Sequence, residues 1–173
     1  MFCIDFFKKN PKPFFRFAEE ILPGRYQPSV SHKFITYLDE QKKLLRLYSQ
    51  NIDALERAAG IKRLIECHGH IYTAHCVRCQ TKYELSDIRT DIEDGRVPLC
   101  TACDDEGRYI KPDIVFFGEG LPEEFFASLD DDKSEADLLI VMGTSMAVGP
   151  VNQIPHWVPK KVPRLLSQSI DNL

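Results

Sequence analysis

The sequence predicts an α/β fold: a parallel sheet with a small metal-held module inserted in it. Three observations predict it. The apolar runs Leu44-Leu45 with Leu47, Leu64-Ile65 and Asp137 to Met142 (DLLIVM) read as buried strands, each ending in a polar or glycine-containing turn. Helical periodicity fills intervals between such runs, the alternation expected of a parallel sheet. Residues Ile71 to Gly107 break the pattern: strand signals are weak, turn residues are many, and four of the six cysteines fall there.

At 173 residues the chain has room for one domain, or one domain with a small insert, and an apolar fraction of 43% suffices for a packed core. A formal charge of −4 argues against binding nucleic acid through bulk charge, and it suits a basic partner such as a lysine-rich peptide. No apolar run reaches membrane-spanning length. The start, MFCIDFFKKNPKP, lacks the basic leader and small-residue cleavage site of a signal peptide.

In chain order, Phe2, Ile4, Phe6 and Phe7 are too apolar for a free tail and need cover. Phe14 to Leu22 reads as a helix with Phe14, Phe17, Ala18 and Ile21 on one face, stopped by Pro23-Gly24. A second helix runs to Gln41, capped by Ser29 or Ser31. After the first strand the polar cluster Ser49-Gln50-Asn51 precedes a short helix, Ala54 to Ala59, with Gly60 where a left-handed C-cap is wanted. The second strand ends at Cys67-His68-Gly69. Ile114 to Phe117 reads as a buried strand, Leu121 to Leu129 as a helix with Pro122 in its first turn, and Asp130-Asp131-Asp132 as a solvated turn. Val148 to Val158 is helical within the limits set by Pro150 and Pro155, and Arg164 to Leu166 is a last strand.

Cys76 and Cys79 are separated by two residues, as are Cys100 and Cys103, with twenty residues between the pairs. This is zinc-ribbon spacing. A two-residue gap makes a tight turn that aims both sulfurs at one point, and two such turns close a tetrahedron of thiolates with no open position, a structural site. His70 and His75 lie near enough to substitute as ligands. Cys3 and Cys67 read as ordinary buried thiols.

The polar groups at the strand ends are ambiguous one by one. Asp53 with Glu56 three residues later resembles a capping box. Asn51 suits a turn, and a lone histidine such as His68 is usually a satisfied polar residue. Gly143-Thr144-Ser145 after a buried strand can hold phosphate or ribose through N–H groups and hydroxyls, yet many β–α turns look like this.

Together they are more specific. Gln50-Asn51-Ile52-Asp53, His68-Gly69, the two C-x-x-C pairs, Lys111-Pro112-Asp113-Ile114-Val115-Phe116-Phe117-Gly118-Glu119 and Gly143-Thr144-Ser145, in this order, closely resemble the sirtuins, NAD-dependent protein-lysine deacylases. The run Phe6 to Phe15 (FFKKNPKPFF) is most similar to the eukaryotic branch of the nucleus and cytoplasm. The resemblance implies a Rossmann-like sheet over residues 1–70 and 111–173 and an inserted zinc-binding module over 71–110. It implies His68 as general base, aided by Asn51. Gln50, Asn51, Asp53, Gly143, Thr144 and Ser145 would hold NAD; Val115, Phe116, Phe117, Gly118 and Glu119 would form the acyl-lysine groove. Cys76, Cys79, Cys100 and Cys103 would hold one zinc. Acyl-lysine proteins, histones or tubulin among them, are the implied partners.

Departures from the family pattern accompany the likeness. Neither the Gly-Ala-Gly turn nor the Gly-Ile-Pro-Asp-Phe-Arg loop occurs, so the sheet is expected to be incomplete and NAD turnover poor. Ser167, Gln168 and Ser169 stand where the family has an Ile-Asn-x-Glu run, and Cys67 where it has Ala. Two rival readings are an inactive sirtuin fragment that binds peptides around its zinc, and a zinc-ribbon nucleic-acid-binding protein. The acidic balance weighs against the second.

Overall fold

The computed structural model describes residues 1–167. The helices are α1 (Ile4–Lys9), α2 (Lys12–Ala18), α3 (Val30–Glu40), α4 (Leu55–Ala58), α5 (Leu85–Glu93), α6 (Glu123–Glu135) and α7 (Ile154–Trp157). The strands are β1 (Leu47–Ser49), β2 (Leu64–Glu66), β3 (Gly69–Cys76), β4 (Lys82–Glu84), β5 (Ile110–Ile114), β6 (Leu139–Met142) and β7 (Arg164–Ser167). Gln168 and Ser169 lie outside the described residues.

The architecture is mixed α/β with parallel sheet pieces, as the alternating pattern predicts. β1 pairs parallel with β2, Leu47 opposite Leu64, and β6 pairs parallel with β7, Leu139 opposite Arg164. Between them in sequence, β4, β3 and β5 form an antiparallel sheet in that order. No helix among the described residues is long and apolar enough to cross a membrane.

Two apolar clusters hold these pieces. The larger joins the N-terminal helices to the cysteine-rich region: Phe7, Phe14 and Phe15 of α1 and α2 pack with Ile71, Ile88 and Phe116. Phe116 meets Phe2, Phe7 and Phe14 through edge-to-face ring contacts, with centroids 5.0–5.7 Å apart. This covers Phe7 and, in part, Phe2 and Ile4, while Phe6 stays exposed. The smaller cluster packs Ile65 and Cys67 against Phe125, Leu129, Val151 and Ile154.

Several expectations need correction. Of the two caps expected for α3, Ser29 is the one used: its hydroxyl accepts from the His32 N–H, and the His32 ring accepts from the Ser29 N–H. Asp130–Asp132 is no turn but the continuation of α6, and Asp132 is buried. Its carboxylate accepts from Arg46 and from the Tyr48 hydroxyl (2.6 Å), tying α6 to β1. Desolvation, then the Asp132 hydrogen bond, pushes the Tyr48 hydroxyl pKa up. The strand expected at Ile114 to Phe117 begins four residues earlier, as β5, and ends at Ile114. Val115 to Phe117 runs on beyond it, bridged to Cys3. β6 is half-buried rather than buried, and Cys3 is exposed. The helices α1 and α5 were not anticipated.

Candidate functional site

β1 and β2 end side by side, and the polar groups that follow them meet. The Cys67 N–H donates to the Ser49 carbonyl at 2.9 Å, extending the parallel ladder by one rung and bringing His68 beside Gln50. His68 Nδ1 lies 2.8 Å from the Gln50 carbonyl oxygen. That oxygen can only accept, so Nδ1 carries the hydrogen, and in the neutral ring Nε2 keeps the lone pair. Burial pushes the Cys67 thiol up to about 12, leaving it an inert packing group beside the histidine.

Gly69 makes the corner. Its φ is +71°, and a Cβ there would lie 1.9 Å from the Asp113 carbonyl oxygen, so only glycine fits. From this corner β3 leaves for Cys76, while the Val115 N–H donates back to the His68 carbonyl at 2.8 Å. His68 therefore sits where the parallel pair joins the antiparallel sheet. Opposite an irregular stretch of β3, Asp113 accepts from Thr73 and bonds His75 at 2.7 Å.

Of the five residues expected in a substrate groove, Val115, Phe117, Gly118 and Glu119 are partly or fully exposed. Phe116 is turned the other way, 1% exposed in the aromatic cluster, and its side chain faces no groove. Alternation explains this: in extended backbone Val115 and Phe117 share the face opposite Phe116. Glu119 closes the turn, accepting from the Phe116 N–H (2.8 Å) and from Lys111 (2.9 Å).

A cavity of about 320 Å³ lies between the ends of β1 and β6. Gln50, Asn51, Gly143 and Thr144 line it, with Tyr48 and Glu56. Thr144 Oγ1 approaches Gln50 Oε1 at 3.5 Å, and Gly143 supplies the turn with φ +61°. Asp53, Ser145 and His68 lie outside this lining. Asp53 accepts from the Leu55 N–H at 3.1 Å, and His68 reaches the cavity wall through the Gln50 carbonyl. The expected capping box is absent: Glu56 does not return to cap α4 but turns inward to Ser49 and Asn51.

Cys76, Cys79, Cys100 and Cys103 converge, with all four sulfurs within 4.8 Å of one another. Cys76 to Cys103 is 3.8 Å and Cys79 to Cys100 is 3.6 Å. Zinc–sulfur bonds of about 2.3 Å make a tetrahedron with edges of about 3.8 Å. The donor set thus fits a single structural zinc. Sulfur-directed donors complete it: the Arg78 N–H to Cys76, and the Ala102 N–H and Tyr83 hydroxyl to Cys100. Burial raises the Cys100 thiol pKa, but the hydrogen bonds from Tyr83 and Ala102, with smaller ones from Cys79 and Cys103, outweigh it and hold that thiol at about 6. His75 belongs to Asp113 and stays outside the cluster.

The Sir2 family model matches residues 1–150. The chain belongs to the Sir2 family. It is 51% identical over 168 residues to the NAD-dependent protein deacetylase sirtuin-1 of Rattus norvegicus, covering 96% of this chain and 30% of that protein. To the NAD-dependent histone deacetylase sirtuin-1 of Drosophila melanogaster it is 46% identical over 187 residues, covering 96% of this chain and 23% of that one. To the NAD-dependent protein deacetylase sirtuin-2 of Danio rerio it is 46% identical over 170 residues, covering 96% and 44%. The chain thus spans less than half the length of each of these relatives. Within this member of the Sir2 family, sequence reasoning passed over Ser49 as a site residue and took Glu56 for a cap. Glu56 stands in the first turn of α4, where a cap partner and an inward-turned carboxylate look alike in sequence.

Proposed function

We propose that the chain carries an NAD-dependent protein-lysine deacetylase site, which transfers the acyl group of an acyl-lysine to ADP-ribose and releases nicotinamide. The single observation that carries this reading is the pinned tautomer of His68. With Nδ1–H held by the Gln50 carbonyl, Nε2 is the base that takes a proton from a ribose hydroxyl. Bound NAD supplies the ribosyl carbon that the acyl oxygen attacks as nicotinamide leaves. Gln50 and Asn51 would orient the nicotinamide-ribose end, with Asp53 beside them, and Gly143, Thr144 and Ser145 the remainder of the cofactor. An acyl-lysine peptide would add along Val115 to Phe117 as a strand, gaining affinity from backbone hydrogen bonds with little sequence demand. The exposed Phe117, Gly118 and Glu119 would flank it. Zinc on the four cysteines would brace the 71–110 module and take no part in the chemistry. Acetylated proteins of the nucleus or cytoplasm, histones included, are the substrates this reading names.

The test is nicotinamide release from millimolar NAD, with and without an acetyl-lysine peptide. Release that requires the peptide is expected, falling about a hundred- to ten-thousand-fold in His68→Ala with zinc content unchanged. Release that is peptide-independent, or unaffected in H68A, overturns the reading.

A further inference from the structure

Beneath the cavity, Glu56 is 4% exposed and its carboxylate gathers two donors on Oε1. The Ser49 hydroxyl donates to it, and Asn51 Nδ2 donates to it at 3.3 Å. The Ser49 oxygen in turn accepts from the Asn51 backbone N–H at 3.1 Å. Asn51 is thereby held at both its backbone and its side chain. A carboxylate only accepts, so the Asn51 amide cannot flip without setting its oxygen against Oε1. Its Nδ2 faces Glu56, and Oδ1 remains for a ligand in the cavity.

The same ring reaches His68. The Asn51 N–H and the Gln50 carbonyl belong to one peptide plane. On one side that plane donates to Ser49, which leans on Glu56; on the other its oxygen holds His68 Nδ1. From these contacts we infer that Glu56 is the positioning residue of the site, setting the Asn51 amide and, through Ser49 and the 50–51 peptide, the tautomer and tilt of the His68 ring. Glu56 touches no reacting atom and acts only through these neighbours. The inference deepens the deacetylase reading, since it matters for turnover only if His68 is the base.

The experiment reads the imidazole directly. In ¹⁵N-labelled chain, the His68 nitrogen shifts report which nitrogen is protonated, with zinc content as the check on folding. Wild type is expected to hold the Nδ1–H form. Glu56→Ala and, independently, Ser49→Ala should each weaken that preference by up to about tenfold, the worth of one ordinary hydrogen bond. Glu56→Gln, whose amide oxygen still accepts from Ser49, should restore it in part. If E56A loses its zinc and unfolds, S49A decides. An unchanged tautomer in a folded S49A or E56A overturns the inference. Tautomer shifts in a protein whose wild type releases no nicotinamide would leave the positioning role standing and remove the deacetylase reading instead.

Discussion

At Gly69 the chain turns with φ +71° while the Asp113 carbonyl passes close enough to exclude a Cβ. Left-handed backbone alone costs a side chain about 1–3 kcal/mol, and here a backbone oxygen must also move. Gly69→Ala should therefore destabilise by about 3 kcal/mol or more, read as a drop in the unfolding midpoint, and should lower His68-dependent turnover, because the Val115–His68 bond shares the corner. A loss within about 0.5 kcal/mol would show that the corner is not as tight as the distance says. The four cysteines were legible in the sequence because their spacing carries their chemistry; His68 and Asn51 were ambiguous singly and entered only through the order of the combined motifs. The role of Glu56 was not legible. A carboxylate three residues after an aspartate looks the same whether it caps its own helix or reaches back to the preceding strand, and only the burial of the whole turn separates the two. Phe116 was misplaced for a related reason: the motif names the stretch, while the pleat decides which of its side chains faces out.

At the scale of elements, the zinc cluster fixes more than its own loops. Cys76 ends β3, Ile110 pairs with it across β5, and Cys100 is buried in the same core as Phe7, Phe14, Ile88 and Ile92. Sites of this kind contribute on the order of 10 kcal/mol to the fold they close. Cys100→Ser should strip the metal, loosen β4 and α5, and propagate through the shared aromatic core to α1 and α2. Protection of those helices from hydrogen exchange should fall, and zinc per chain should drop from about one toward zero. Stoichiometric zinc in a Cys100→Ser, Cys103→Ser double variant would refute the ligand set. The helix α5 was missed because cysteine and turn residues dominated the composition of 71–107, although Leu85, Ile88 and Ile92 repeat at helical spacing and are buried. The tail of α6 was missed because three consecutive aspartates read as solvated. Arg46 and Tyr48, more than eighty residues earlier, supply the partners that let Asp132 stay buried, and no local pattern announces them.

At the scale of the molecule, the two parallel pairs face one another across the cavity without pairing. Among the described residues β1 bonds only β2 and β6 only β7, while Leu47–Ser49 and Leu139–Met142 both line the same space. Leu138, Leu165 and Leu166 are about half exposed or more (49%, 53% and 63%). Unpaired strand edges flanked by apolar side chains are templates for another chain. The cavity is also poorly furnished for a pyrophosphate, which needs successive N–H donors at a glycine-rich turn and the positive end of a full helix. The turn after β1 leads only into four-residue α4, whose cap position, Ala54, offers no side-chain oxygen, and the turn after β6 leads through a loop to a 3₁₀ turn at Val151–Gln153 that runs into four-residue α7. Among the described residues Gln50, Asn51 and Thr144 remain as polar contacts, without that anion site. The 173-residue chain should therefore bind NAD with a Kd of about 1 mM or weaker, no more than about 4 kcal/mol, and should self-associate as its concentration rises. Calorimetry with NAD beside sedimentation velocity checks both at once. A monomer that binds NAD at micromolar concentration would mean that the open edges are closed in solution and that a phosphate-holding turn forms from residues that the present arrangement keeps apart.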